Sequence, residues 1–381
     1  MREPVVAIAG CGAVSAVGCG LESLLNALRS HLLGLGPSEK FSSPRFQSNL
    51  VGAAPRDQDD EDPAWLLARE ALQQAVGAAK TIKIPPQKIG LILSTTKANI
   101  EALERVSAGR PCSKAALRHL QSNLLAEDLA KEFGIRGPVQ AVSVACVSGL
   151  VALSQGVKLI RRGAADAVFV VGVDCLSEFV VAGFTALKAI DPAGCRPFDA
   201  ARSGLSPGEA GAAIMLVRDD LTSPTGITLR GYGGSNDANH LTGPSRDGSG
   251  LARAIRLALD SAKLSPEEID FVHAHGTGTS YNDTMESLAL KTIFGEACPP
   301  VSGAKGMLGH TLGAAGVIET IICTLAMKEK FLPGTLGLTN PAEGAPKSLV
   351  RRPRAADRLK NVLKLNTGFG GMNGALILSH E

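Results

Sequence analysis

The feature that most constrains this chain is an order of elements that occurs twice. In the first half the apolar run VVAIAG leads to the helix-like AWLLAREALQQAVGAAK, then to the strand-like IGLILST, to VSVAC with a helix behind it, and to DAVFVVGVD. In the second half GITLRGYG leads to LARAIRLALDSAKL, then IDFVHAHG, then VSGAKG with a helix after GHTLGAAG, and finally VLKLNTG and ALILSH. Apolar strands that alternate with helices need cover on both faces, which is α/β architecture. With 381 residues, 45% hydrophobic and only 4% aromatic, the chain can bury a large aliphatic core. The boundary between the halves is placed at 222/223, beside the turn residues Pro224, Thr225 and Gly226, giving segments 1–222 and 223–381.

The reactive side chains are split between those halves. Cys146 stands in AVSVACVSGL, after the strand-like PVQAVSV and before a helix with apolar positions at Leu150, Leu153, Val157 and Ile160. A thiol at such a strand-to-helix turn meets the positive end of the helix dipole, where its pKa is expected to fall. Taken alone, a cysteine is more readily read as buried and structural, because free Cys is among the most buried residue types. His275 follows the apolar run IDFVHA and opens the hydroxyl-rich turn GTGT, which suits a histidine at a strand end facing a cleft. His310 lies in GAKGMLGHTLGAAG with Lys305, at the start of the helix GAAGVIETIICTLAMK. A nucleophile, two imidazoles and a lysine point to one chemistry.

With those motifs in place, the chain resembles the β-ketoacyl-acyl carrier protein synthases of the elongating Cys-His-His type, within the thiolase superfamily. The likeness covers nearly the whole length. VVAIAGCGAVSAVGCGLESLLNAL is similar to the family's first strand, glycine turn and helix, CRPFDAARSGLSPGEAG to its Arg-Pro-Phe-Asp stretch and later turn, and NTGFGGMN to its glycine-rich gating loop. The resemblance implies the five-layer α-β-α-β-α thiolase fold from two similar halves. It implies that Cys146 carries the acyl group, that the amides of Cys146 and Phe369 bind the thioester oxyanion, and that His275 and His310 stabilise an enolate from malonyl-acyl carrier protein. Lys305 is expected to keep charge and hydrogen bonding in order around His310, and Glu319, read as lying on the same helix as His310, to organise that network. Thr277 and Thr279 are similar to hydroxyls that contact the phosphopantetheine arm, with simple turn chemistry as the competing role. Phe369 is similar to the gating phenylalanine.

The likeness also has gaps. Thr367 stands where the loop usually has a second phenylalanine and Met372 where it has a threonine. Residues 94–137 are shorter and more polar than in housekeeping synthases, a region that helps line the acyl pocket and the dimer contact. A specialised synthase of the aryl polyene or polyketide kind therefore fits better than a general one. A degradative thiolase would carry a second cysteine near the C-terminal loop, and an initiating synthase an asparagine in place of His310. The remaining alternative is a subunit of a ketosynthase/chain-length-factor pair, or a non-condensing partner, which typically lacks the cysteine.

Partners implied by the resemblance are the acyl carrier protein and a second subunit, in a homodimer or a heterodimer. No metal or organic cofactor is required. A net charge of +3 and the lack of a basic arm argue against nucleic acid. The modestly basic 351–360 reads as a solvated face or as an attraction for an acidic carrier. Eight scattered cysteines without a CxxC pair fit a reducing, cytoplasmic setting. The N-terminal VVAIAGCGAVSAVG, which has features of a short signal, reads as a first strand, and no membrane span is expected.

Overall fold

The computed structural model describes residues 4–57, 59–221 and 226–380. The expected half boundary at 222/223, with Pro224 and Thr225, lies outside the described residues.

Strands β1 (Val6–Ser15), β2 (Ile89–Ser94), β3 (Val139–Val142), β4 (Ala167–Asp174) and β5 (Ala210–Arg218) pair in the order β3-β2-β4-β5-β1. Strands β6 (Ile227–Asn236), β7 (Phe271–His273), β8 (Val301–Ser302), β9 (Asn361–Gly368) and β10 (Met372–His380) pair in the order β8-β7-β9-β10-β6. Numbered within each set of five, both sheets read 3-2-4-5-1. In each, the three strands at one end are parallel and the fifth strand, β5 or β10, is antiparallel to both neighbours. Among the described residues the sheets are joined by one pair, Ala7 with Thr228. The repeated order read from the sequence is thus a repeated topology, although β5, with its run AGAAIMLVR, was absent from that reading.

Helices complete five layers. Helix α1 (Pro63–Ala78) packs Leu67, Ala71 and Leu72 on the outer face of the first sheet, and its start is capped by Asp62, which accepts the Trp65 N–H at 3.3 Å. Helices α3 (Ser249–Ala262) and α4 (Ser280–Phe294) cover the outer face of the second sheet. Between the sheets lie α2 (Ser148–Arg161) and α5 (Ala315–Glu329), in one apolar cluster with residues from both sheets. Every residue of α5 from Ala315 to Met327 is buried, as expected of a helix that is apolar all round. β4 is buried along its whole length, because helices cover both faces.

The crossing of α2 and α5 positions the reactive groups. A Cβ on Gly149 would lie 2.7 Å from the Gly316 Cα, and one on Gly316 would lie 2.6 Å from the Leu150 N. Only glycine allows backbones this close. The first turns of the two central helices therefore touch, and the residues just before each helix meet. Cys146 precedes α2 and His310 precedes α5. The expectation that His310 and Glu319 share a helix is corrected: His310 sits in the turn ahead of α5, and Glu319 is on α5 itself.

Candidate active site

Cys146 sits in a turn tied down by the first residue of α2. The Ser148 hydroxyl accepts the Val144 N–H at 2.7 Å and donates to the Ala145 carbonyl at 2.6 Å, and Ala145 holds a left-handed φ of 46°. A non-glycine residue there is strained, as nucleophile turns often are. The side chain is buried, and burial pushes the thiol up to about 11, against the opposing charges of Lys305 and Lys97. This corrects the expected fall: removing a thiolate from water costs more than the nearby positive charges return. At rest Cys146 is a thiol.

His310 is held largely by backbone. Its N–H donates to the Ser206 carbonyl at 2.7 Å and its carbonyl accepts the Gly208 N–H at 3.0 Å, which pairs the turn with the GLSPGEAG stretch. Nδ1 accepts the Leu312 N–H at 3.2 Å, so the ring proton resides on Nε2, and Nε2 lies 3.1 Å from the Cys146 Sγ.

His275 follows β7 and is held by α4. Glu286 accepts the His275 N–H at 2.6 Å and the Gly276 N–H at 2.9 Å, while Asp283 accepts the N–H groups of Thr277 and Gly278. Nδ1 receives the Lys305 ammonium at 3.1 Å and the Asn366 amide at 3.0 Å. With both neighbours donating, the ring proton is again on Nε2. The two imidazoles stand at 81° with centroids 5.2 Å apart. Burial first, and Lys305 second, hold both well below the ordinary histidine value, so both rings are neutral.

Beneath His275 lies a fully buried ionic cluster. Glu319 is 2.6 Å from Lys305 and 2.8 Å from Lys364, and Lys305 also donates to the His275 carbonyl at 2.6 Å. Burial opposes the Glu319 charge, but the two ammonium groups outweigh it and hold the carboxyl down at about 2. Lys305 hydrogen-bonds His275 and not His310, whose Nδ1 is filled by backbone; the expected hydrogen-bonding role at His310 is thereby corrected, while the expected action of its charge on that ring holds. Lys364, Asn366, Glu286 and Asp283 did not figure among the sequence candidates. A lysine inside the apolar run VLKLN was the one signal available for Lys364.

Cys146, His275, His310, Thr277, Thr279 and Phe369 line a single pocket of about 70 Å³. Thr277 and Thr279 join hydroxyls at 2.9 Å, and Thr279 also caps α4, so both have turn roles besides facing the pocket. Phe369 is partly exposed, with its ring 6.0 Å from that of Phe184. Thr367 donates to Asn282 at 2.6 Å, and Met372 takes the Asn236 amide. The basic 351–360 is elsewhere: Arg358 pairs with Asp270 just before β7, at the end of that strand opposite His275.

The family model described as beta-ketoacyl synthase, N-terminal domain, matches residues 3–221, and that of the C-terminal domain matches 227–339. The chain is 31% identical over 418 residues to the tetracenomycin polyketide synthase ketoacyl synthase alpha subunit of Streptomyces glaucescens, covering 99% of this chain and 97% of that protein. It is 28% identical over 415 residues to the 3-oxoacyl-(acyl-carrier-protein) synthase 2 of Coxiella burnetii, covering 100% and 99%. Among solved structures it resembles the ishigamide ketosynthase/chain length factor, with a TM-score of 0.91, 30% identity and 100% coverage of both chains.

Proposed function

The chain belongs to the beta-ketoacyl synthase family, the thiolase-fold condensing enzymes of fatty acid and polyketide biosynthesis, and we propose that it joins an acyl group on Cys146 to malonyl-acyl carrier protein by decarboxylative Claisen condensation. The observation that carries this reading is the pair of neutral imidazoles. Each has its Nδ1 occupied by a donor, which leaves two Nε2–H groups in the pocket of the buried thiol.

In the first step the Cys146 sulfur attacks the acyl thioester, the carbonyl becomes an oxyanion facing the amides of Cys146 and Phe369, and the pantetheine thiol leaves with the proton from Cys146. In the second, the malonyl C–CO2 bond breaks and its electron pair enters an enolate, with His275 and His310 donating Nε2–H to the enolate oxygen. The enolate carbon then attacks the acyl carbonyl, the C–S bond to Cys146 breaks, and the thiolate takes up one proton. Lys305 and Glu319 fix the His275 ring rather than touch substrate. Thr277 and Thr279 meet the pantetheine arm, and Phe369 gates the pocket.

The carrier protein and a second ketosynthase-like subunit are the partners proposed. The outer edge of β3 lacks a strand neighbour among the described residues, and the helix Glu178–Ala186, beside Cys146, exposes Phe179, with Leu187 exposed just past its end. The ishigamide protein is a ketosynthase/chain length factor, which favours such a pairing here. Two thiolase-like halves that share one site, 1–222 with Cys146 and 223–381 with the two histidines and Lys305, a cytoplasmic location and a specialised acyl chain complete the proposal. No helix of the described residues is long and apolar enough to cross a membrane.

Intact-protein mass after incubation with a panel of acyl-carrier thioesters tests the reading. An acyl adduct on the native protein, absent from Cys146→Ala and discharged by malonyl carrier into a longer β-ketoacyl product, is expected. No adduct with any primer, alone or with a partner subunit, contradicts it. Full activity with palmitoyl-length primers and none with short or medium ones contradicts the specialised chain.

A further inference from the structure

We propose that Asp174 and Lys97 form a positioning pair for the cysteine and His310 corner of the site: Asp174 fixes the turn that orients His310, and Lys97 balances the Asp174 charge beside Cys146. The inference rests on the reading of His310 as an enolate donor.

Asp174 ends β4 and is fully buried, and donors from two separate segments converge on its carboxylate. From the turn after β2 come the Thr95 hydroxyl at 3.0 Å, the Thr96 N–H at 3.0 Å, the Thr96 hydroxyl at 2.8 Å and the Lys97 N–H at 3.3 Å. From the turn before α5 comes the Gly313 N–H at 2.6 Å. Ser94 grips the same residue from the other side, donating to the Gly313 carbonyl at 2.6 Å. A Cβ on Gly313 would meet the backbone at the Thr95 Cα and the Thr96 N, each at 2.9 Å, besides the Asp174 Oδ2 at 2.7 Å, so the position favours glycine.

The neighbouring residue explains why this grip matters. Leu312 holds a φ of 52°, a left-handed conformation that a leucine adopts only when its surroundings enforce it. At the entry to this turn the Leu312 N–H donates to the His310 Nδ1 and so keeps the ring proton on the nitrogen facing Cys146. Asp174 and Ser94, by clamping Gly313, supply the enforcement. Leu312 also packs with Cys146 and Val180.

Lys97 is the second half of the pair. Its ammonium lies 3.5 Å from the Asp174 Oδ1 and contacts the Thr96 hydroxyl, with the side chain 14% exposed. The pair lies behind the cysteine, since Asp174 holds Gly313 and the adjoining Leu312 packs on Cys146; Lys305 and Lys97 favour the thiolate there and Asp174 and Glu319 oppose it, with the neutral His310 ring in contact. Without Lys97, the Asp174 carboxylate opposes the thiolate with no local counter-charge.

Two variants and two readouts test the pair. Asp174→Asn is expected to lower kcat for condensation roughly tenfold to a hundredfold with KM for malonyl carrier unchanged, as displacement of a donor does. Ser94→Ala, a milder loosening of the same turn, should lower kcat less and serves if Asp174→Asn fails to fold. Lys97→Met should move the pH profile of Cys146 alkylation by iodoacetamide upward by roughly one unit, and Lys97→Arg should restore it. Wild-type kcat in the folded Asp174 or Ser94 variant, or a loss carried by KM, overturns the positioning role. An unmoved alkylation profile in Lys97→Met overturns the charge role. Alkylation reads Cys146 without any turnover, so it still decides the charge role if the protein condenses no primer and the functional reading fails.

Discussion

His275 and His310 present the same Nε2–H to the same pocket, yet one is fixed by side chains and the other by backbone. His275 takes two side-chain donors on Nδ1, over an ionic cluster of Lys305, Glu319 and Lys364. His310 takes a main-chain N–H from a strained turn. A side-chain support can be removed one group at a time, whereas a backbone support changes only when the turn does. Whereas the His310 ring yields only through the groups that hold its turn, Asp174 and Ser94, the His275 corner is the one that substitution reaches directly. It is also the costlier one to damage, because a buried charge left without its partner destabilises the fold.

The largest expected effect treats the two rings alike. His275→Ala and His310→Ala should each slow condensation about a hundredfold to a thousandfold, measured as β-ketoacyl carrier formed by pre-acylated enzyme. A large loss for one ring and none for the other would break the symmetry of roles.

Lys305→Met separates the corners. It removes a donor from His275 and one of the two counter-charges of Glu319, so unfolding free energy should fall by about 3–5 kcal/mol in denaturant titration, with activity reduced as well. Lys305→Arg should not restore activity, since a planar fork does not fit the site of a point donor. A change in His310 geometry alone would place the lysine in the other corner.

Gly149→Ala probes what the corners share, the crossing of α2 and α5. Overpacking there should cost about 1–3 kcal/mol of stability and lower the acylation rate of Cys146. Stability at the wild-type level would mean the helices can part without loss.

The smallest effect is a pH dependence of opposite sign at two carboxyls near His275. Glu319 is held at about 2 in the folded protein, below its ordinary 4.5, so its contribution to stability is present above pH 4.5 and lost as pH falls toward 2. Burial raises Glu286 to about 7, so its protonated form favours the fold below pH 4.5 and that contribution is lost as pH rises through 7. Glu286→Gln should flatten the decline in stability between pH 4.5 and 7, and Glu319→Gln the decline at acid pH. Thermal unfolding across that range reads both slopes.

Much of this arrangement was legible in the sequence. The twofold order of strands and helices carried into two sheets of one topology, because apolar runs and helical periodicity are properties of local sequence. β5 escaped notice because Ala210 to Ala213 are small residues with little strand character, and only pairing with β1 and β4 makes them a strand. Cys146, His275, His310 and Lys305 stand in motifs whose glycines mark turns, and the structure brings all four together. What the sequence did not carry was adjacency: that Lys305 serves His275, that Lys364 and Asn366 rise from β9 beneath it, and that Asp174 reaches the turn beside His310. The expected low pKa of Cys146 failed because helix position is visible in a sequence and depth of burial is not.

The measurement that tests the account most directly is carbon dioxide release from malonyl carrier by enzyme already acylated on Cys146, compared between the native protein and His310→Ala. The account predicts that the variant still carries the acyl group and releases carbon dioxide about a hundredfold to a thousandfold more slowly. Undiminished release from acylated His310→Ala would contradict the claim that this imidazole stabilises the enolate.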